Sequence, residues 1–228
     1  MAFEYVEKKV MESARKEIES VIHNVQNELK SILTFQYNLV GSASNNRHLV
    51  TRIINGNQGF DLDFNIIIQR MNENYDDAKT IKLLFMKTFN KFLENDFKHC
   101  EDSSTVFTIK KVNKKTKKII YSFDFAIVNY YEEEIANLDF DDDYDDPDEE
   151  IFVVERQELI KFNKPYSYVW ETRPIASDHR YMEQFVKEKG LWNELRDQYL
   201  INKNNNQNEK SRIVYYNTLN QIFQNHTS

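Results

Sequence analysis

The stretch Phe60-Asp61-Leu62-Asp63-Phe64-Asn65-Ile66-Ile67-Ile68 decides how the rest of the chain is read. Its first five residues alternate aromatic or aliphatic with acidic, and the following ones are mostly apolar. Strand periodicity puts residues i and i+2 on one face, so Asp61 and Asp63 project together while Leu62 and Phe64 face a core. The continuous apolar end marks a strand buried on both faces. Two carboxylates held side by side repel unless a cation lies between them. Magnesium suits such a place, because it takes oxygen ligands and leaves positions for phosphate and water.

Two further features extend outward from this strand. Upstream, Phe35 to Val40 alternates as a short strand and ends in Gly41-Ser42. Glycine permits close backbone approach, and Ser42 adds a hydroxyl and N–H groups at the expected start of a helix, a corner suited to phosphate oxygens. Downstream, Ser122-Phe123-Asp124-Phe125-Ala126-Ile127 sets a lone Asp inside an apolar strand. An unpaired carboxylate there is costly to bury, so Asp124 requires a partner. That partner is either a nearby Lys or Arg or, if the two strands adjoin, a cation shared with Asp61 and Asp63. Three converging carboxylates can hold two metals, which clamp the attacking and leaving oxygens of a phosphoryl transfer.

The order of Gly-Ser, Asp-x-Asp and a strand-borne Asp resembles the nucleotidyltransferases of the DNA polymerase beta superfamily, over roughly residues 35 to 130. The resemblance implies an α+β fold with a mixed β-sheet flanked by helices, here with a long N-terminal helix and a helical C-terminal part. It implies that Gly41 and Ser42 hold the β- and γ-phosphates of a nucleoside triphosphate. Asp61, Asp63 and Asp124 become the catalytic carboxylates and the ligands of Mg2+ or Mn2+. The implied activity moves a nucleoside monophosphate onto a hydroxyl acceptor and releases pyrophosphate. The acceptor stays open among a small molecule, a second nucleotide, an RNA end and a protein. So does a non-catalytic nucleotide-binding or partner-binding role, regulatory or antitoxin-like, on the same fold. Asp61 lies 19 positions after Ser42, a longer connection than the family usually has. The family's triphosphate lysine has no clear counterpart, with Lys187 and Lys189 as candidates and Arg173 to Arg180 as a further basic stretch near the cleft.

Composition agrees with a packed protein. The chain has 228 residues, 40% hydrophobic and 14% aromatic, enough to bury a core without staples. The single Cys100 excludes an internal disulfide and suggests a reducing compartment. The charged first twenty residues lack a signal peptide's apolar region, and no apolar run is long enough to span a membrane. A cytoplasmic protein is expected. Net charge is −7, yet Glu132 to Glu150 hold 12 of the 37 acidic residues and no basic one, leaving 25 acidic against 30 basic elsewhere. A mildly basic body is compatible with a polyanionic ligand.

The expected organisation is a catalytic core over 1–135 that includes the N-terminal helix, an acidic loop over 136–150, and a strand and helical region over 151–228 packed on the core. Within it, spacing predicts helices over 3–33, Ser44 to Ile54, about 76–98, Asp178 to Leu200 and Ile213 to Phe223. Strands are expected over Thr105 to Lys111, Lys118 to Val128 and Ile151 to Val154. The lysines at 110, 111, 114, 115, 117 and 118 fall on a hairpin turn and read as solvated. Trp170 and Trp192 read as core.

Overall fold

A computed structural model describes residues 2–56, 59–72, 77–134, 152–163, 166–173 and 179–227, without the side chains of residues 45, 46, 131–134 and 152–155. The expected acidic loop over 136–150 lies outside the described residues. The fold is mixed α+β.

The central sheet is built on β2 (Leu33–Val40), β4 (Asp61–Met71) and β7 (Ile119–Glu134). β2 pairs antiparallel with β4, and β4 pairs parallel with β7. Beyond β7 come β6 (Phe107–Val112) and the two-residue β5 (Glu101–Asp102), both antiparallel. The distal half of β7 leaves this body and pairs with β8 (Phe152–Asn163), which turns back as β9 (Tyr166–Arg173). This arm was expected only at its first residues, Ile151 to Val154. Its strands mix charged and apolar residues, and most of their described positions are half-buried instead of alternating between buried and exposed, which blurs the period-two signal.

One sheet face is covered by α1 (Lys8–Leu29) and α2 (Ala78–Phe92). α1 buries Met11, Ala14, Ile18, Val21, Ile22, Val25 and Leu29, the three-and-four spacing of a single apolar stripe. α2 begins at the cap Asp77, whose Oδ2 accepts from the Thr80 N–H at 2.7 Å. Its Phe85 and Phe89 meet Phe35, Phe107 and Phe125 in an aromatic core. Phe64 packs on Phe125 with ring centroids 5.4 Å apart, so the residues flanking the aspartates anchor both central strands.

Several expected helices differ. α1 starts at Lys8 because Phe3–Tyr5 (β1) pairs with Thr51–Ile53 (β3). The predicted helix over Ser44 to Ile54 is instead a 3-10 turn, Gly41–Asn46, followed by that strand. β-branched Thr51, Ile53 and Ile54 favour an extended partner over a helix. The late helix splits at Gly190, φ +68°, into α3 (His179–Glu188) and α4 (Trp192–Asn205), before α5 (Ser211–Thr227). The three helices enclose a second core of Val186, Leu195, Tyr199, Val214, Leu219 and Ile222, into which Leu49 inserts. Trp170 packs against the main core and Trp192 against this one, as expected.

Candidate active site

The parallel register of β4 and β7 places Asp61 opposite Ser122 and Asp63 opposite Asp124. On the other side of β4, Val40 stands opposite Asp63, so the chain enters Gly41 directly over the Asp63 carboxylate. Gly41 has φ +66°, and a Cβ built there would lie 2.6 Å from Asp63 Oδ2. Only glycine meets both conditions without displacing the carboxylate. The structure thus brings Gly41, Asp61, Asp63 and Asp124 to one end of the sheet, with Ser42 in the wall beside them.

Each aspartate has a distinct environment. Asp61 is exposed and accepts from the Ser122 hydroxyl. Asp124 Oδ1 accepts from Thr108 Oγ1 at 2.5 Å, while burial raises its pKa despite that bond and the nearby Lys110 charge. It makes no ion pair with Lys or Arg within 4.0 Å among the described residues, and its partner there is the Thr108 hydroxyl. Burial, then the charges of Asp124 and Asp61, push Asp63 up from 3.8 to about 7.

These groups line a cavity of about 1290 Å³ between the sheet end and the helical layer. Its far wall is basic. Arg156 lies 2.5 Å from Glu158, and Arg173 is 2.8 Å from Glu171. Arg47 pairs with Glu183. Arg180, Lys210 and Arg212 also line the cavity and make no ion pair among the described residues. Arg173 and Arg180, the ends of the basic stretch expected near the cleft, therefore both line this cavity. Lys187 and Lys189 do not line it: Lys187 is bound to Glu183 at 2.9 Å, and Lys189 lies over the Phe185 ring. Lys210 and Arg212 were not legible in the sequence because they follow a polar Asn-rich stretch with no pattern that ties them to the aspartates. Of the lysines expected on a solvated turn, Lys110 and Lys111 lie instead on β6, partly buried and engaged by Glu101 and by Glu17 with Asp96, whereas Lys114, Lys115, Lys117 and Lys118 are exposed between β6 and β7.

The donor set around the aspartates consists of carboxylate and hydroxyl oxygens, the chemistry that Mg2+ or Mn2+ takes. Among the described residues, no three His, Cys, Asp or Glu side chains already close on one point. The observation that fits a cation is Asp63, a carboxyl held partly neutral near pH 7 by burial first and by two like charges next.

No protein-family model matches the chain, and no curated protein does. Solved structures of nucleotidyltransferases do align with it. CdnG of Bradyrhizobium diazoefficiens, a CD-NTase in complex with GTP, matches 73% of this chain and 40% of its own, at TM-score 0.45 and 11% identity. Vibrio cholerae DncV in complex with GTP and 5MTHFGLU2 matches 91% of this chain and 54% of its own, at TM-score 0.49 and 15% identity. A second DncV structure, of the cyclic AMP-GMP synthase described as a prokaryotic cGAS homolog, matches 74% and 38%, at TM-score 0.41 and 17% identity. The chain spans about half or less of the length of each. Among the described residues, no helix is long and apolar enough to cross a membrane.

Proposed function

We propose that this protein is a metal-dependent nucleotidyltransferase that moves a nucleoside monophosphate from a nucleoside triphosphate to a hydroxyl acceptor, with release of pyrophosphate. The observation that carries this reading is the register: Asp63 and Asp124 are direct neighbours across parallel strands, beneath a glycine whose positive φ and close approach to Asp63 disfavour any side chain. The order of Gly41-Ser42, Asp61-x-Asp63 and Asp124, which resembles the polymerase beta superfamily, supports it further.

In this reading Asp61, Asp63 and Asp124 are the carboxylates that hold Mg2+ or Mn2+. When bound, the cation neutralises charge building on the phosphate oxygens and on the leaving pyrophosphate. Gly41 and Ser42 turn backbone and hydroxyl toward the triphosphate, and Arg180, Lys210 and Arg212 offset its charge from the far wall. Asp124 keeps Oδ1 on Thr108, which leaves Oδ2 to accept the acceptor hydroxyl's proton. Burial raises its basicity for that role. Positioning and electrostatics supply most of the rate in phosphoryl transfers.

A binding-only protein on the same fold is the second reading, favoured by one observation: Asp61 and Asp124 are turned onto Ser122 and Thr108 and do not close with Asp63 on a single point. Thermal unfolding with each nucleoside triphosphate, with and without Mg2+ or Mn2+, tests both readings beside Asp61→Asn/Asp63→Asn. A ligand above its dissociation constant raises the midpoint. We expect a shift that needs the metal and disappears in the double variant. Pyrophosphate release that Asp124→Asn abolishes while the shift persists selects the enzyme. A metal-dependent shift without pyrophosphate release under any acceptor tried selects the binder. The absence of a shift with every nucleotide overturns both.

A further inference from the structure

Glu183 is a buried carboxylate that the proposed chemistry does not use. It is 8% exposed and sits in α3, away from the sheet. Three donors from three parts of the chain converge on it. Arg47, from the turn after Gly41-Ser42, reaches Oε2 with Nη2 at 2.5 Å and Oε1 with Nε at 3.4 Å. Lys187 donates to Oε1 at 2.9 Å, and the Tyr215 hydroxyl of α5 donates to Oε2 at 3.0 Å. Burial alone would raise the pKa of Glu183, yet Lys187, Arg47 and Tyr215 hold it below the ordinary value, so it is charged in the folded protein.

Arg47 is the link to the site. Its guanidinium lies 4.7 Å over the Tyr215 ring and lines the cavity. Its Nη1 donates to the Gly41 carbonyl at 3.4 Å, and its backbone N–H donates to the Ser44 carbonyl at 2.8 Å. The Ser44 hydroxyl donates to the same Gly41 carbonyl at 2.8 Å. The turn that presses Gly41 onto Asp63 is therefore braced by Arg47, and Arg47 is aimed by a carboxylate of the helical layer. A guanidinium stacked on one face and forked to a carboxylate has few other orientations.

We propose that Glu183 is a positioning residue for nucleotide binding: through Arg47 it fixes the Gly41–Ser42 turn and holds a guanidinium charge at the cavity wall. This rests on the reading of the cavity as a triphosphate site. It also links the helical layer to a site whose carboxylates all come from the sheet. Removing one member of a buried charged network releases the other from its place.

The test measures the dissociation constant of the Mg2+ complex of the preferred nucleoside triphosphate, together with amide hydrogen exchange over residues 41–49 of the ligand-free protein. The variants are Glu183→Gln, Tyr215→Phe and Val186→Ala. Val186 is fully buried in the same helix and touches neither Arg47 nor the cavity in the contacts described, so its truncation loosens the helical layer without freeing Arg47. Glu183→Gln should weaken binding about tenfold, the scale of a hydrogen bond to a charged group, and speed exchange at 41–49. Tyr215→Phe, which keeps the ring and loses one donor, should give a smaller change in the same direction. Val186→Ala should lower the unfolding midpoint and leave both readouts near wild type. Equal effects of Glu183→Gln and Val186→Ala on affinity would reduce Glu183 to a stabilising residue and overturn the proposal. So would unchanged exchange at 41–49 in Glu183→Gln. If wild type binds no triphosphate, the nucleotide reading falls, and with it the binding role of Glu183; faster exchange in Glu183→Gln alone would then show only that the brace exists.

Discussion

Replacing Asp63 with asparagine isolates the electrostatic cost of the site. In metal-free protein the Asp63 carboxyl moves from 3.8 to about 7, through burial first and the charges of Asp124 and Asp61 next. The unfolded chain loses this proton near the ordinary value, and the folded chain keeps it until about 7. Between those limits the folded state binds the extra proton, so stability falls as pH rises through the window. The full displacement of about three pH units corresponds to about 4 kcal/mol. The carboxyl opens onto the cavity and interacts with Asp124, so about half of this, about 2 kcal/mol, is the expected effect over the whole window. Urea unfolding of wild type and Asp63→Asn in chelator, at steps from pH 5 to pH 8, reads it directly. Wild type should lose about 1 kcal/mol relative to the variant across that range, the part of the effect that falls above pH 5, since the asparagine side chain has no proton to lose. Adding Mg2+ at the upper pH should restore stability to wild type and leave the variant where it was. A wild-type-minus-variant difference that stays constant from pH 5 to pH 8 would refute the reasoning, because it would mean that Asp63 ionises as freely in the folded chain as in the unfolded one.

Two other outcomes follow from the glycines. Gly41→Ala meets both a positive φ and the Asp63 carboxylate at 2.6 Å, a flexible partner that can swing aside; we expect about 1–2 kcal/mol of lost stability, by urea unfolding, with a larger loss of the metal-dependent nucleotide shift. An unchanged shift in Gly41→Ala would detach that turn from the site. Gly59→Ala would set a Cβ 1.7 Å from the Ile120 backbone carbonyl, where only a backbone shift relieves the contact, whereas Gly190→Ala has open space and bears only the cost of its φ of +68°. The first should cost several kcal/mol or prevent folding, and the second about 1 kcal/mol; similar unfolding midpoints for the two would contradict the close approach of residue 59 to β7.

How far the sequence could be read depended on the range over which each signal acts. The Asp61 and Asp63 strand, the strand around Asp124 and the stripe of α1 were legible, since alternation and three-and-four spacing arise within a few residues and need no partner to be seen. Thr51 to Ile53 was misread as helical because its extended form is set by Phe3–Tyr5, nearly fifty positions away. The split of the late helix was marked by Gly190, but a continuous apolar stripe on either side concealed it. The same division holds at the site. Residue type and order alone singled out Gly41, Ser42, Asp61, Asp63 and Asp124, because acidic residues inside apolar strands are costly wherever they occur. Only the tertiary structure decided that Asp63 faces Asp124, since strand register is chosen by the packing of Phe64, Phe125 and their neighbours across the sheet. Only it brought Arg180, Lys210 and Arg212 to the same cavity and placed Arg47 under the control of Glu183, because charges far apart in the chain share a surface only once α3, α4 and α5 have closed their own core against Leu49.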